Sequence, residues 1–229
     1  MRILFGIVGI LVMAGTALAG DLPTTEAIQP TAVPCTIPYI CHDWDFAVSN
    51  QGFTRGACDT GGVLAWNYGT STIPGAPGPV WGTGLTSAYP VNSGDGLKSP
   101  SFTVTANCNY VEISHYFDTE NNYDGGNVKF NDVLITPQGG YTGIICTSTA
   151  YYAFCVDNEL GWMGASSGWR AECFDLSQFV GQTGQLSFEF GSDSSVTYRG
   201  WFLAYVKVGG ADPTPTEGST WGNIKGLFQ

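Results

Sequence analysis

Residues 117–128 read FDTENNYDGGNV, three acids and three asparagines around a Gly-Gly pair. Oxygen-rich side chains at this density suit a hard cation, a proton-transfer pair or a hydrogen-bonded turn. The spacing fails as an EF-hand: Tyr123 stands where the loop needs glycine, and Lys129 where it needs a bidentate glutamate. A strand end followed by a turn fits better. Asn121, Asn122 and Asp124 then satisfy backbone donors, while Gly125 and Gly126 take up backbone angles that other residues resist. No metal is expected here, and Asp118, Glu120 and Asp124 are the fallback ligands for a weakly held calcium.

Other chemistry-bearing residues give weaker signals. Gly164-Ala165-Ser166-Ser167-Gly168 matches the G-x-S-x-G pattern of hydrolases but lacks the strand, sharp turn and helix that expose such a nucleophile. His115 alternates with Val111, Ile113 and Phe117, the position of a hydrogen-bonded core histidine, and His42 has no third group with which to form a triad. No catalytic residue and no cofactor is expected. The aromatic residues near predicted turns are the better candidates for binding, since a flat ring can stack on a sugar face or anchor a protein interface. Trp81, Tyr151, Tyr152 and Trp162 are the tentative ligand-binding set. Trp44, Trp169 and Trp201 lie inside predicted strands and are assigned to the core.

These residues must be positioned outside the cytoplasm. Residues 1–19 carry one arginine, an apolar run too short to span a bilayer and an Ala17-Leu18-Ala19 cleavage site, the pattern of a secretory signal. No later run of roughly 18 apolar residues offers a membrane span. The protein is expected to be secreted or extracellular, with periplasm and cell surface both compatible. Cleavage removes Arg2 from a chain of net charge −11, leaving seven basic residues against 19 acids, a formal −12. Such a surface repels phosphate backbones and anionic lipid heads, which argues against nucleic acid and leaves glycans, proteins and cations as partners.

All seven cysteines follow the signal and none has a C-x-x-C spacing, so disulfides are the default. Cys146 and Cys155 bracket ICTSTAYYAFC, a loop with no strong strand pattern. A bridge closing it would contribute about 2–3 kcal/mol and fix how Tyr151 and Tyr152 are presented. A second bridge is expected within Cys35, Cys41 and Cys58, with Cys173 a buried thiol.

Period-two hydrophobic runs recur between Gly, Asn, Asp and Pro clusters, and no window holds helical spacing for long. In YVEISHYFD, Val111, Ile113, His115 and Phe117 point one way; in GQLSFEFG, Leu186, Phe188 and Phe190 alternate with Ser187 and Glu189. In GWFLAYVKV, Phe202, Ala204, Val206 and Val208 are expected on one face and Trp201, Leu203, Tyr205 and Lys207 on the other. The reading is all-β, an antiparallel two-sheet jelly-roll sandwich over 42–208, after a Pro-rich lead-in (20–41). A polar linker (209–220) then leads to a short amphipathic helical tail (221–229) able to contact a secretion or surface-assembly partner.

The strings FDTENNYDGGNVKF, GWMGASSGWRAECFDLSQFVGQTGQLSFEFGSDSSV and RGWFLAYVKV resemble the jelly-roll, MAM-like domain that accompanies immune inhibitor A-type secreted metallopeptidases of bacteria. The resemblance covers roughly Asp43 to Val208 and implies two antiparallel sheets with an accessory role in binding or adhesion. The HExxH helix of the peptidases is absent. The family's acids that resemble calcium ligands are replaced here by Ala47 and Ala204, so that calcium site is expected to be missing. The function expected is a non-catalytic module that binds an extracellular glycan or protein. The alternatives are a structural surface component without a ligand pocket and an unrecognised hydrolase.

Overall fold

The computed structural model describes residues 29–58, 60–148 and 150–211; the segments expected to be a signal peptide (1–19) and an amphipathic tail (221–229) fall outside them. The described chain runs through β1 (Tyr39–Asp45), β2 (Thr54–Ala57), β3 (Asn67–Thr70), β4 (Pro79–Gly82), β5 (Gly94–Lys98), β6 (Phe102–Thr103), β7 (Tyr110–Asp118) and β8 (Gly125–Phe130). It continues through β9 (Val133–Ile135), β10 (Gly143–Ile144), β11 (Leu160–Gly161), β12 (Arg170–Asp175), β13 (Thr183–Gly184), β14 (Leu186–Gly191) and β15 (Gly200–Gly210). The fold is the expected all-β sandwich. One sheet has the order β12-β7-β15-β4-β3, with β1 also on β15; the other has the order β2-β5-β14-β8-β9. No helix among the described residues is long and apolar enough to cross a membrane.

The alternation read in β7 is realised. Val111, Ile113, His115 and Phe117 are buried between the sheets and their neighbours are half-buried on the outer face. In β14 both faces are buried, because the excursion between β9 and β12 covers the side expected to be wet. Glu189 is neutralised there by Lys129 at 2.8 Å, which also holds Glu159 at 2.9 Å.

β15 departs from simple alternation. Leu203 pairs with His115 but Tyr205 pairs with Ser114, so Ala204 is an extra residue in the strand, a β-bulge. Before it, Trp201 and Leu203 point into the core; after it, Val206 and Val208 do. Phe202 and Ala204 therefore lie with Tyr205 on the outer face, and Lys207 follows Tyr205 out. The face assignment made from the sequence fails at this point because one inserted residue reverses the parity of everything beyond it. The bulge is also where the neighbour changes: β4 pairs with Phe202 and Leu203, and β1 with residues 205–210.

The Pro-rich segment from Gln29 packs on the sandwich. Val33 and Cys35 donate backbone N–H bonds to Glu172 and Glu112, and the Pro30 carbonyl accepts from Arg170, closing the β12 side of the sheet. Gly139 is required beneath it, since a Cβ there would stand 2.3 Å from the Thr31 carbonyl oxygen.

Three disulfides tie distant segments: Cys35–Cys173, Cys41–Cys108 and Cys58–Cys155. Bridges of this kind persist in an oxidising compartment. The expected Cys146–Cys155 bridge is not formed. Cys155 sits in a short 3-10 turn (Phe154–Val156) laid against β14 and reaches Cys58 at the end of β2. Cys146, held by its N–H to the Asn122 carbonyl, turns into a small cluster of Ile145, Ala153, Val156 and Met163 and remains a thiol. Burial pushes that thiol up to about 12, which makes it inert at neutral pH. The bridge expected within Cys35, Cys41 and Cys58 is absent too, because the three meet separate segments: Cys173 in β12, Cys108 in the turn before β7, and Cys155 in the 3-10 turn. Cys173 is bonded rather than free.

Candidate functional site

The parting of β4 from β1 beside the Ala204 bulge opens a groove of about 460 Å³ on the outer face of the larger sheet. Its floor consists of two cross-strand rows. Asp45, Tyr205 and Ser114 form one, and Asp43 and Lys207 the other, which Glu112 continues beyond the lining of the groove. Ala47, Gly75 and Pro77 line one wall, and Trp169, just before β12, packs beside Gly75, where a Cβ would stand 3.6 Å from its ring. Trp169 donates its indole N–H to the Pro74 carbonyl at 3.2 Å, and its ring lies 6.0 Å from that of Tyr116. Tyr205 donates its hydroxyl to Glu112 at 2.9 Å, and the Lys207 ammonium lies 4.8 Å from the centre of its ring. Both rings are half-buried and fixed by hydrogen bonds, so they present flat faces at small entropic cost. Ala47 and Ala204 offer methyl groups to the same groove, where the resemblance would place acids.

Trp169 and Tyr205 are the residues that the sequence reading missed. Arg170, Glu172 and Phe174 alternate inward, which would have put Trp169 and Cys173 outward by parity alone. For Tyr205 no such signal existed, because the bulge carries no sequence mark.

Of the tentative ligand set, two residues are core. Trp162 is 1% exposed among His115, Phe117, Tyr141, Phe174 and Trp201. Trp81 is buried because its register with Leu203 aims it inward, and it donates to the Asn50 carbonyl. Tyr151 and Tyr152 are exposed, as a binding role needs. They border a second cleft of about 300 Å³ with Asn92, Phe154 and Ser194, and their rings rest on Tyr123 and Phe154.

The acidic loop divides. Asp118 leaves the group and faces Arg199 at 3.9 Å. Glu120 and Asp124 meet Asp193, which the sequence reading passed over, with one carboxylate oxygen from each within 4.8 Å of the others. Such oxygens could hold a hard cation; hydrogen bonds occupy three of the six, and Glu120 Oε2 is buried without a partner among the described residues. Asp124 accepts from the Tyr89 hydroxyl and the Asp193 N–H, each at 2.8 Å, and Asp193 accepts from Ser195. Ser166, of the G-x-S-x-G string, accepts the Phe117 N–H and donates to the Gly168 carbonyl, a purely structural engagement.

Asp124 is fully buried, and desolvation pushes its carboxyl from 3.8 to about 7. Asp95 is likewise pushed by burial to about 6. A raised carboxyl is protonated in the fold while the unfolded chain has already ionised. Its contribution is therefore lost as pH rises from about 4 to about 7, at on the order of 1.4 kcal/mol per pH unit. His115, whose imidazole burial holds low, acts oppositely, gaining stability as pH rises toward 6.5. The difference between Asp124→Asn and wild type isolates the carboxyl: melting temperatures at pH 5 and pH 8 should show the variant gaining several degrees relative to wild type. A constant difference would contradict the assignment.

No family model matches this chain, and no curated protein matches it either. Among solved structures, one that matches is a glycoside hydrolase family 43 arabinoxylan arabinofuranohydrolase from Bacillus subtilis in complex with cellotetraose. It is 12% identical with a TM-score of 0.36, over 64% of this chain and 24% of that one. This chain thus spans about a quarter of that structure's length, and a likeness of this degree carries no argument.

Proposed function

We propose that this chain is a non-catalytic extracellular binding module and that it takes a glycan in the groove beside the Ala204 bulge. The observation that carries the reading is the anchored pair Trp169 and Tyr205, one ring at the side of the groove and one in its floor, with carboxylates, a hydroxyl and an ammonium within reach. Sugar rings pair an apolar face with a hydroxyl edge, and this groove offers a partner to each. The groove is not arranged for glycoside hydrolysis. Asp43 and Asp45 project from the same strand instead of flanking a bond from opposite sides, both are exposed, and Asp45 is tied to the Ala47 N–H. The signal-like start and the resemblance to an accessory jelly-roll domain support the same reading.

A glycan array followed by calorimetry tests it. Trp169→Ala should weaken the best ligand by about 30-fold, the effect of losing a central aromatic anchor, with little change in melting temperature. The control Tyr151→Ala, in the other cleft, should bind as wild type does. Full affinity in Trp169→Ala, or no glycan bound, would overturn the proposal.

A further inference from the structure

The floor of the groove is unevenly charged. Lys207 lies between Asp43 and Glu112 in the cross-strand register, yet its ammonium sits over the Tyr205 ring and forms no ion pair among the described residues. Glu112 is fully engaged, with one oxygen accepting the Tyr205 hydroxyl and the other the Cys35 N–H. Asp43 makes no hydrogen bond among the described residues, and Asp45 uses one oxygen on the Ala47 N–H. Two exposed carboxylates thus face the groove without an ion pair among the described residues, against the single ammonium of Lys207, on a chain of net charge −11.

We infer that the groove selects a glycan bearing protonated amino groups, an oligosaccharide of free-amine hexosamines, over N-acetylated or uronate-bearing ones; this rests on the groove being the glycan site. An ammonium on a sugar resting on Trp169 and Tyr205 donates charge-assisted hydrogen bonds to Asp43 and Asp45, whereas a uronate meets like charge there. A basic peptide would satisfy the same acids but fits less well. An extended main chain would pair along the outer edge of β1, which is bonded only to β15, whereas Asp43 and Asp45 line the groove on the sheet face together with Trp169 and Tyr205.

Calorimetry at pH 5.5, where the amines are charged, compares a glucosamine oligomer with N-acetylglucosamine and galacturonate oligomers of the same length. The glucosamine oligomer should bind on the order of tenfold more tightly than the N-acetylated one at low salt. That advantage should shrink at ~0.5 M salt, where charges beyond a few ångströms are screened. Asp43→Asn with Asp45→Asn should remove the advantage, weakening the glucosamine oligomer far more than the N-acetylated one. Equal or tighter binding of the N-acetylated or galacturonate oligomer, or an advantage untouched by the double variant, overturns the inference while leaving a glycan site. Binding that ignores Trp169→Ala refutes the glycan reading itself. Displacement of the glucosamine oligomer by a lysine hexapeptide at equal or lower concentration assigns the groove to basic peptides and overturns the inference.

Discussion

Removing the Cys35–Cys173 bridge, as Cys35→Ser with Cys173→Ser, should cost about 4–5 kcal/mol of stability, a large part of what holds a domain of this size folded. The two cysteines are 138 residues apart, so the bridge closes a long loop of the unfolded chain and restricts that state strongly. Its folded-state role adds to this. Cys35 anchors the segment that gives Arg170 the Pro30 carbonyl and gives Glu172 the Val33 N–H. Without the anchor that segment can lift from the β12 edge and leave a buried ion pair short of partners. Cys146→Ser, which breaks no bridge, should cost much less. Urea unfolding compares the variants, and non-reducing peptide mapping should recover Cys35–Cys173, Cys41–Cys108 and Cys58–Cys155 from wild type. A bridge variant within about 1 kcal/mol of wild type would show that the loop constraint is not expressed.

The legible parts of this fold were those in which one strand has one wet and one dry face. β7 alternates cleanly and was read residue by residue. β4, β5 and β8 were poorly legible, because PVWG, GDGLK and GGNVKF hold glycines that neighbouring atoms approach closely. A Cβ at Gly126 would meet the Trp201 ring at 2.4 Å, and one at Gly82 would meet Phe202 at 2.5 Å. Strands built to let aromatic rings in lose the hydrophobic period that marks a strand. The candidate groove was illegible for a related reason. Tyr205 and Lys207 reach it only because Ala204 is bulged, and a bulge is a property of pairing with β7, which no local pattern records. The cysteine pairing failed similarly: Cys146 and Cys155 are near in sequence, but their side chains are committed to different packing clusters.

Replacing Arg170 by methionine is expected to cost about 3–5 kcal/mol, the penalty of leaving a buried charge without its partner. Glu172 is 0% exposed and its Oε1 accepts both Nε and the Nη2 of Arg170, at 2.6 and 2.5 Å. Nearby groups do not replace that partner. His115 accepts the Trp201 indole N–H on Nδ1, which places its own proton on Nε2, but Nε2 stands 4.0 Å from Glu172. Burial also keeps the imidazole neutral, so it brings no charge. If the loss comes from the orphaned carboxylate, Arg170→Met with Glu172→Gln should recover a good part of it, because the amide removes the charge and keeps the shape. If instead the loss comes from packing of the guanidinium near Phe117, 6.0 Å from that ring, the second substitution recovers nothing. Guanidinium chloride unfolding of the two variants separates these outcomes, and a single variant within about 1 kcal/mol of wild type would sink both.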